Sequence, residues 1–89
     1  MLSWKGWLLR YSTSAYCEMA HYDISPAEVL QVLEDGIEAT GRSQGVVEKC
    51  LQKKTGLVKV VACESHDYSL KEEVWVIIHV AVIKAPKKR

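Results

Sequence analysis

The stretch YDISPAEVLQVLEDGIEA, residues 22–39, carries the strongest local signal in the chain. Ser25 is a natural helix N-cap, because its hydroxyl can accept from a free N–H of the first turn. Pro26 follows at the first helical position, where a missing N–H costs nothing. Glu28, three residues after Ser25, completes a capping box, and Ile24 and Val29 are spaced for a hydrophobic staple. Val29, Val32 and Leu33 recur at i, i+3 and i+4, with Leu30 widening the apolar stripe. Gly36 is expected to end the helix in the left-handed conformation that glycine adopts without strain. The pattern predicts a helix over 25–35 with its apolar stripe packed on a sheet.

On the N-terminal side, YSTSAYCEMAHYD offers a first helix over 13–22. Ser12, Thr13 or Ser14 can cap it, and Ala15, Met19 and Tyr22 share a face. Residues 1–11 read as a lead-in segment or a short strand. Trp4, Trp7, Leu8 and Leu9 cluster there, either as a partner-binding edge or as a segment folded back to cap the sheet. On the C-terminal side the period changes to two. QGVVEKCLQKK (44–54) alternates loosely, KKTG (53–56) signals a turn, and LVKVVACES (57–65) is rich in β-branched residues. HDYSLKEE (66–73) is polar and loop-like. EVWVIIHVAVIK (73–84) reads as a long strand ended by Ala85-Pro86.

The expected architecture is one α+β domain over residues 1–89. Two N-terminal helices pack on one face of a three- to four-stranded antiparallel sheet. In the last strand, alternation sends Val74, Val76, Ile78, Val80 and Val82 toward the helices. Trp75, Ile77, His79 and Ala81 then point the other way, and Lys59 has the parity to join His79.

The chain has 89 residues, enough to bury roughly 60–65% of its unfolded surface in one core. Cys17, Cys50 and Cys63 make an odd set without paired spacing, which argues against a disulfide framework or a zinc ribbon. A reducing cytoplasm is the expected setting. MLSWKGWLLRYSTS is broken by Lys5 and Gly6 and does not read as a signal peptide. VWVIIHVAVI (74–83) is too short to cross a bilayer, so no membrane partner is expected. The formal net charge is +1, unevenly spread. Residues 1–40 hold Lys5 and Arg10 against six acids, whereas 41–89 hold ten basic and five acidic groups. Lys53, Lys54 and the tail Lys84, Lys87, Lys88 and Arg89 carry much of that positive bias. It suits phosphate contacts, though such a bias is more often a solvated face.

Residues 14–34, SAYCEMAHYDISPAEVLQVLE, resemble the approximate pattern H-A-x-x-R-M-x-x-R-G-I-S followed by an amphipathic helix in a family of small bacterial and archaeal proteins, domain-of-unknown-function family 4258. Ala15, Met19, Ile24 and Ser25 match, and WVIIHVAVI looks like the family's late strand, with His79 near its threonine. The resemblance covers roughly residues 11–83. It implies a RelE-like or BrnT-like toxin fold, whose members cleave messenger RNA on the ribosome or pair with a small antitoxin protein. Ser14, Glu18, Tyr22 and Asp23 depart from it, standing where the family has histidine, two arginines and glycine. Glutamate in place of arginine repels phosphate.

RNA cleavage needs a base for the 2′-hydroxyl proton, positive charge at the phosphorane and a proton for the leaving oxygen. His79, Lys59 and Arg42 are the candidate catalytic residues, with Tyr68 a further supplier. Lys53, Lys54, Lys87, Lys88 and Arg89 are the candidate RNA contacts. His79 read blandly is a half-buried sheet residue paired to backbone or water. Cys17 and His21, at i and i+4, meet one point and, with His66 or Cys63, suggest zinc. No second pair has ligand spacing, so neither a metal nor another cofactor is expected. Three functions stand against one another. One is a toxin–antitoxin-type RNA-interacting protein with weakened or lost ribonuclease activity. The second is a non-catalytic protein-interaction module, and the third a domain binding an unrelated small ligand.

Overall fold

The chain opens on a hairpin. In the computed structural model, which describes residues 2–39, 44–54 and 56–83, β1 (Ser3–Trp4) pairs antiparallel with β2 (Trp7–Tyr11). The turn residues Lys5 and Gly6 both have positive φ, 53° and 83°, as a type I′ hairpin turn requires. Helices α1 (Thr13–Tyr22) and α2 (Pro26–Asp35) follow. Then come β3 (Ile37–Glu38), β4 (Val46–Lys53), β5 (Gly56–Asp67) and β6 (Glu72–Ile83). All six strands share one sheet in the order β1-β2-β6-β5-β4-β3. β2 runs parallel to β6, and every other neighbouring pair is antiparallel.

This corrects the expected three- to four-stranded antiparallel sheet. The sheet is larger and mixed, and strands lie on both sides of the helices in the chain. The lead-in is not irregular, because Leu8 to Tyr11 pair with Val74 to Ile77 along the edge of β6. β3 has only two residues, too few for alternation to register in a sequence. Half of the polar stretch 66–73 is strand. His66 pairs with Glu73 and Asp67 with Glu72, so only Tyr68 to Lys71 form the turn.

The helices follow their caps. Ser12 caps α1, its Oγ accepting from the Ala15 N–H at 3.0 Å. α2 has the full capping box. The Glu28 N–H donates to Ser25 Oγ at 3.2 Å, and the Ser25 N–H donates to Glu28 Oε1 at 3.0 Å. Gly36 departs from expectation, because its φ is −75° and not left-handed. A glycine fits there for another reason. A Cβ at that point would lie 2.4 Å from the Val32 carbonyl oxygen and 2.8 Å from that of Cys50, so β4 passes too close for any side chain.

The core joins Ala15 and Met19 of α1, Val29, Val32 and Leu33 of α2, and the sheet residues Val58, Val60, Ala62, Ile77 and Val80. Trp4, Trp7 and Trp75 pin the hairpin to it. Their ring centroids lie 5.1 and 5.2 Å apart around Trp75, whose indole N–H donates to the Trp4 carbonyl at 3.1 Å. The apolar N-terminal cluster therefore folds back on the sheet. Lys49 of β4 comes within 5.8 Å of the Trp4 ring, although β2, β6 and β5 separate their strands. The sheet thus curls around the core, and α2 touches β1, β4 and β5 where its two ends approach. Among the described residues no helix is long and apolar enough to cross a membrane.

The last strand holds the second correction. Val61 pairs with His79 and Ala62 with Ile77, which leaves Ile78 as an extra residue in a β-bulge. One inserted residue reverses which face follows. Trp75 and Ile77 face the helices before the bulge, and Val80 does so after it, with Val82 packed alongside. Val74 and Val76 lie on the opposite face, and Ile78 is 41% exposed. The five-residue aliphatic row does not face the helices as a unit.

Two predictions follow from the register and the cap. Ile77→Asp should prevent folding or lower the urea midpoint severely, because it buries an unpaired charge. Ile78→Asp should stay within about 0.5 kcal/mol of wild type; equal losses would refute the bulge. The Glu28 carboxyl is held below 4.5, first by the Ser25 backbone N–H, with Lys53 assisting and partial burial opposing. A depressed carboxyl contributes stability that is present above 4.5 and lost as pH falls through the folded value. Glu28→Gln should therefore lose less stability than wild type on acidification below 4.5, as urea midpoints measured at neutral pH and in acid will show.

Candidate functional site

The register assembles a polar row on the face of the sheet away from the helices. Glu48 of β4, Val61 of β5 and His79 of β6 stand abreast, with Cys50, Lys59 and Ala81 in the next row. Lys59 and His79 are therefore diagonal neighbours on one face, about 7–8 Å apart at the backbone. The parity of Lys59 pointed to this. Val61 between Glu48 and His79 is itself buried.

The edge of β6 completes the row. β2 ends at Tyr11, and past it β6 meets α1 instead of a strand. A strand edge leaves backbone groups to be satisfied, and Glu18 of α1 satisfies one. Its Oε1 accepts from the Val80 N–H at 2.8 Å, and its Oε2 lies 2.9 Å from His79 Nδ1. On the other side, Lys59 Nζ lies 3.9 Å from Glu48 Oε2, both side chains being mostly covered. His79 and Lys59 thus each face a carboxylate. The bland reading of His79 is near this outcome, except that its partner is an acid on α1.

A second polar link crosses the same face. Arg10 Nη1 donates to Asp67 Oδ2 at 2.7 Å, while Asp67 Oδ1 accepts from the N–H groups of Ser69 and Leu70. Asp67 so fixes the β5–β6 turn and ties it to β2. The sequence pattern assigns neither Glu18 nor Asp67 to a site. One signal did exist, since Glu18 stands three residues after Ala15 and next to Met19, the two residues that α1 buries; Tyr22, expected on that face, is 39% exposed.

The remaining candidates scatter. Tyr68 is 84% exposed in the turn, its ring edge-on to His66 at 4.7 Å, and roughly 20 Å along the strand from the His79 row. Lys53 points to the helix side, where Nζ bonds to Gln31 Oε1 at 2.7 Å and lies 3.5 Å from Glu28. Lys54 is exposed on the turn after β4. Arg42, Lys84, Lys87, Lys88 and Arg89 lie outside the described residues. Cys17 is exposed, and His21 packs edge-on against Tyr22. Among the described residues no three His, Cys, Asp or Glu side chains converge to hold a metal ion.

Glu18→Ala should cost about 1.5 kcal/mol, because it strips a charged acceptor from the Val80 N–H. Glu18→Gln keeps an oxygen there and should recover most of the loss, a difference that urea titration will resolve. No family model, curated protein or solved structure matches the chain.

Proposed function

We propose that this domain works by binding a protein partner in the cytoplasm and has no ribonuclease activity of its own. The observation that carries the reading is the pairing on the open face, His79 with Glu18 and Lys59 with Glu48. Phosphoryl transfer gains from positive charge where negative charge develops. Here two carboxylates occupy the positions beside the only two described catalytic candidates. A phosphate brought to His79 meets Glu18 at hydrogen-bond distance. The pairs instead brace the sheet, which suits a scaffold that presents a surface. The partner implied by the resemblance is a small antitoxin-like protein.

A second reading has one observation in its favour, the placement of His79 and Lys59 on a common face. In it the chain is a toxin–antitoxin-type protein that contacts RNA or the ribosome with weakened catalysis. The contact would use Lys53, Lys54, Lys87, Lys88 and Arg89 electrostatically, so affinity would fall steeply with salt.

One experiment separates the two. The chain and its His79→Ala variant are expressed in a bacterial host, and growth and messenger integrity are followed. Neither protein should arrest growth or cleave RNA. Growth arrest with cleavage by wild type, abolished in His79→Ala, would overturn the proposal in favour of the second reading.

A further inference from the structure

The end of α2 is electrostatically wrong for a helix. Glu34 and Asp35 fill its last turn, which holds no basic residue, and Glu38 follows just past Gly36. The C-terminal end of a helix is the negative pole of its dipole, where cations stabilise and carboxylates do not. Among the described residues none of the three acids takes part in an ion pair; Lys49 of β4 stands opposite Glu38 in the register, and its Nζ lies over the Trp4 ring. Lys53 and Lys54 share a neighbouring groove with Asp35. Lys53, however, bonds to Gln31 and Glu28 earlier on the helix, and Lys54 forms no ion pair.

The same place is apolar. Asp35 and Glu38 border a groove of about 540 Å³ whose walls include Leu51, Leu57 and Cys50. Ile37 lines it too and stands 81% exposed. An exposed isoleucine on a two-residue edge strand contributes little to stability, and violations of local rules concentrate where function is. Carboxylates that form no ion pair among the described residues, a helix's negative pole and a bare apolar side chain therefore meet at one groove.

A single chemistry satisfies all three. We propose that the groove between the end of α2, β3 and β4 docks a partner-protein segment in which an apolar side chain is flanked by lysine or arginine. The apolar group covers Ile37 and the leucine walls, and the cations reach Asp35, Glu38 and the carbonyl end of α2. Nucleic acid is disfavoured at this surface, because its phosphates would meet the same carboxylates. Strand addition is not the mode, since β3 offers an edge of only two residues. The proposal rests on the domain's being an interaction module and names the surface that it uses.

The test is selection of a random peptide display library on the intact chain, followed by fluorescence anisotropy with the enriched peptides. The counter-screen uses the double variant Asp35→Asn, Glu38→Gln. Enriched sequences should join an apolar residue to lysine or arginine and bind wild type about tenfold more tightly than the double variant, about 1.4 kcal/mol. Ile37→Ser should weaken binding as well. The double variant should melt no lower than wild type, because it removes a carboxylate from a helix C-terminus, so lost binding will not be lost folding. Failure to enrich, enrichment without basic residues, or equal affinity for the double variant would each overturn the groove. Competition by spermidine at the peptide's own concentration would also overturn it, assigning the acids to a simple polycation. RNA cleavage by the chain would overturn the interaction reading instead, and peptide titration does not report on that.

Discussion

The structure turns on one inserted residue. Ile78 has no opposite number on β5, and this lets Trp75, Ile77, Val80 and Val82 serve one core although their spacing breaks strict alternation. Without the bulge, either the tryptophan end or the valine end of β6 would face away from the helices. The tryptophan end holds the N-terminal hairpin, through Trp4 and Trp7. The valine end holds α1, through Glu18 on the Val80 N–H. The bulge is therefore where the two halves of the fold are reconciled, and it also sets where His79 stands.

Electrostatics and edges tell a common story. Arg10, Lys53, Lys59 and His79 each sit against a carboxylate. Such pairs contribute modestly on a surface, but each puts a carboxylate where a phosphate would otherwise meet the basic side chain. The sheet's edges are also blunted, a usual protection against unwanted strand pairing. β1 and β3 have two residues each, and the open stretch of β6 is met by α1. Among the described residues the acidic end of α2, with Ile37 beside it, forms no ion pair. An acidic helix end beside a bare isoleucine is a surface by which a molecule can be recognised.

Much of the local structure was legible because it depends on neighbours in sequence. The capping box of Ser25 and Glu28, the stripe of Val29, Val32 and Leu33, the loose alternation of β4 and the β-branched run of β5 all match the sequence pattern. The long-range features were not legible. Lys5-Gly6 is a plausible hairpin turn, yet nothing in residues 7–11 names β6 as their parallel neighbour. A bulge leaves no mark in an aliphatic run, since Ile78 is as apolar as the residues around it. Gly36 after an amphipathic stripe predicts a left-handed cap, whereas its role is the close approach of β4. At the candidate site, parity placed Lys59 with His79, but Glu18 comes from another element, and its partner is a backbone N–H that no side-chain pattern encodes.

The parallel pairing of β2 with β6 has a consequence for how the chain is made. Leu8 lies beside Val74, so a strand synthesised early waits for one synthesised late. Contacts of such high sequence separation slow folding, because loop closure precedes any gain from them. While the nascent chain grows, helices α1 and α2 and the β4–β5 hairpin can form, but Trp4 and Trp7 have no Trp75 on which to pack. The most apolar part of the N-terminus therefore stays uncovered until β6 leaves the ribosome tunnel. This is the interval in which exposed hydrophobic surface makes a chain prone to aggregate and a target for chaperones.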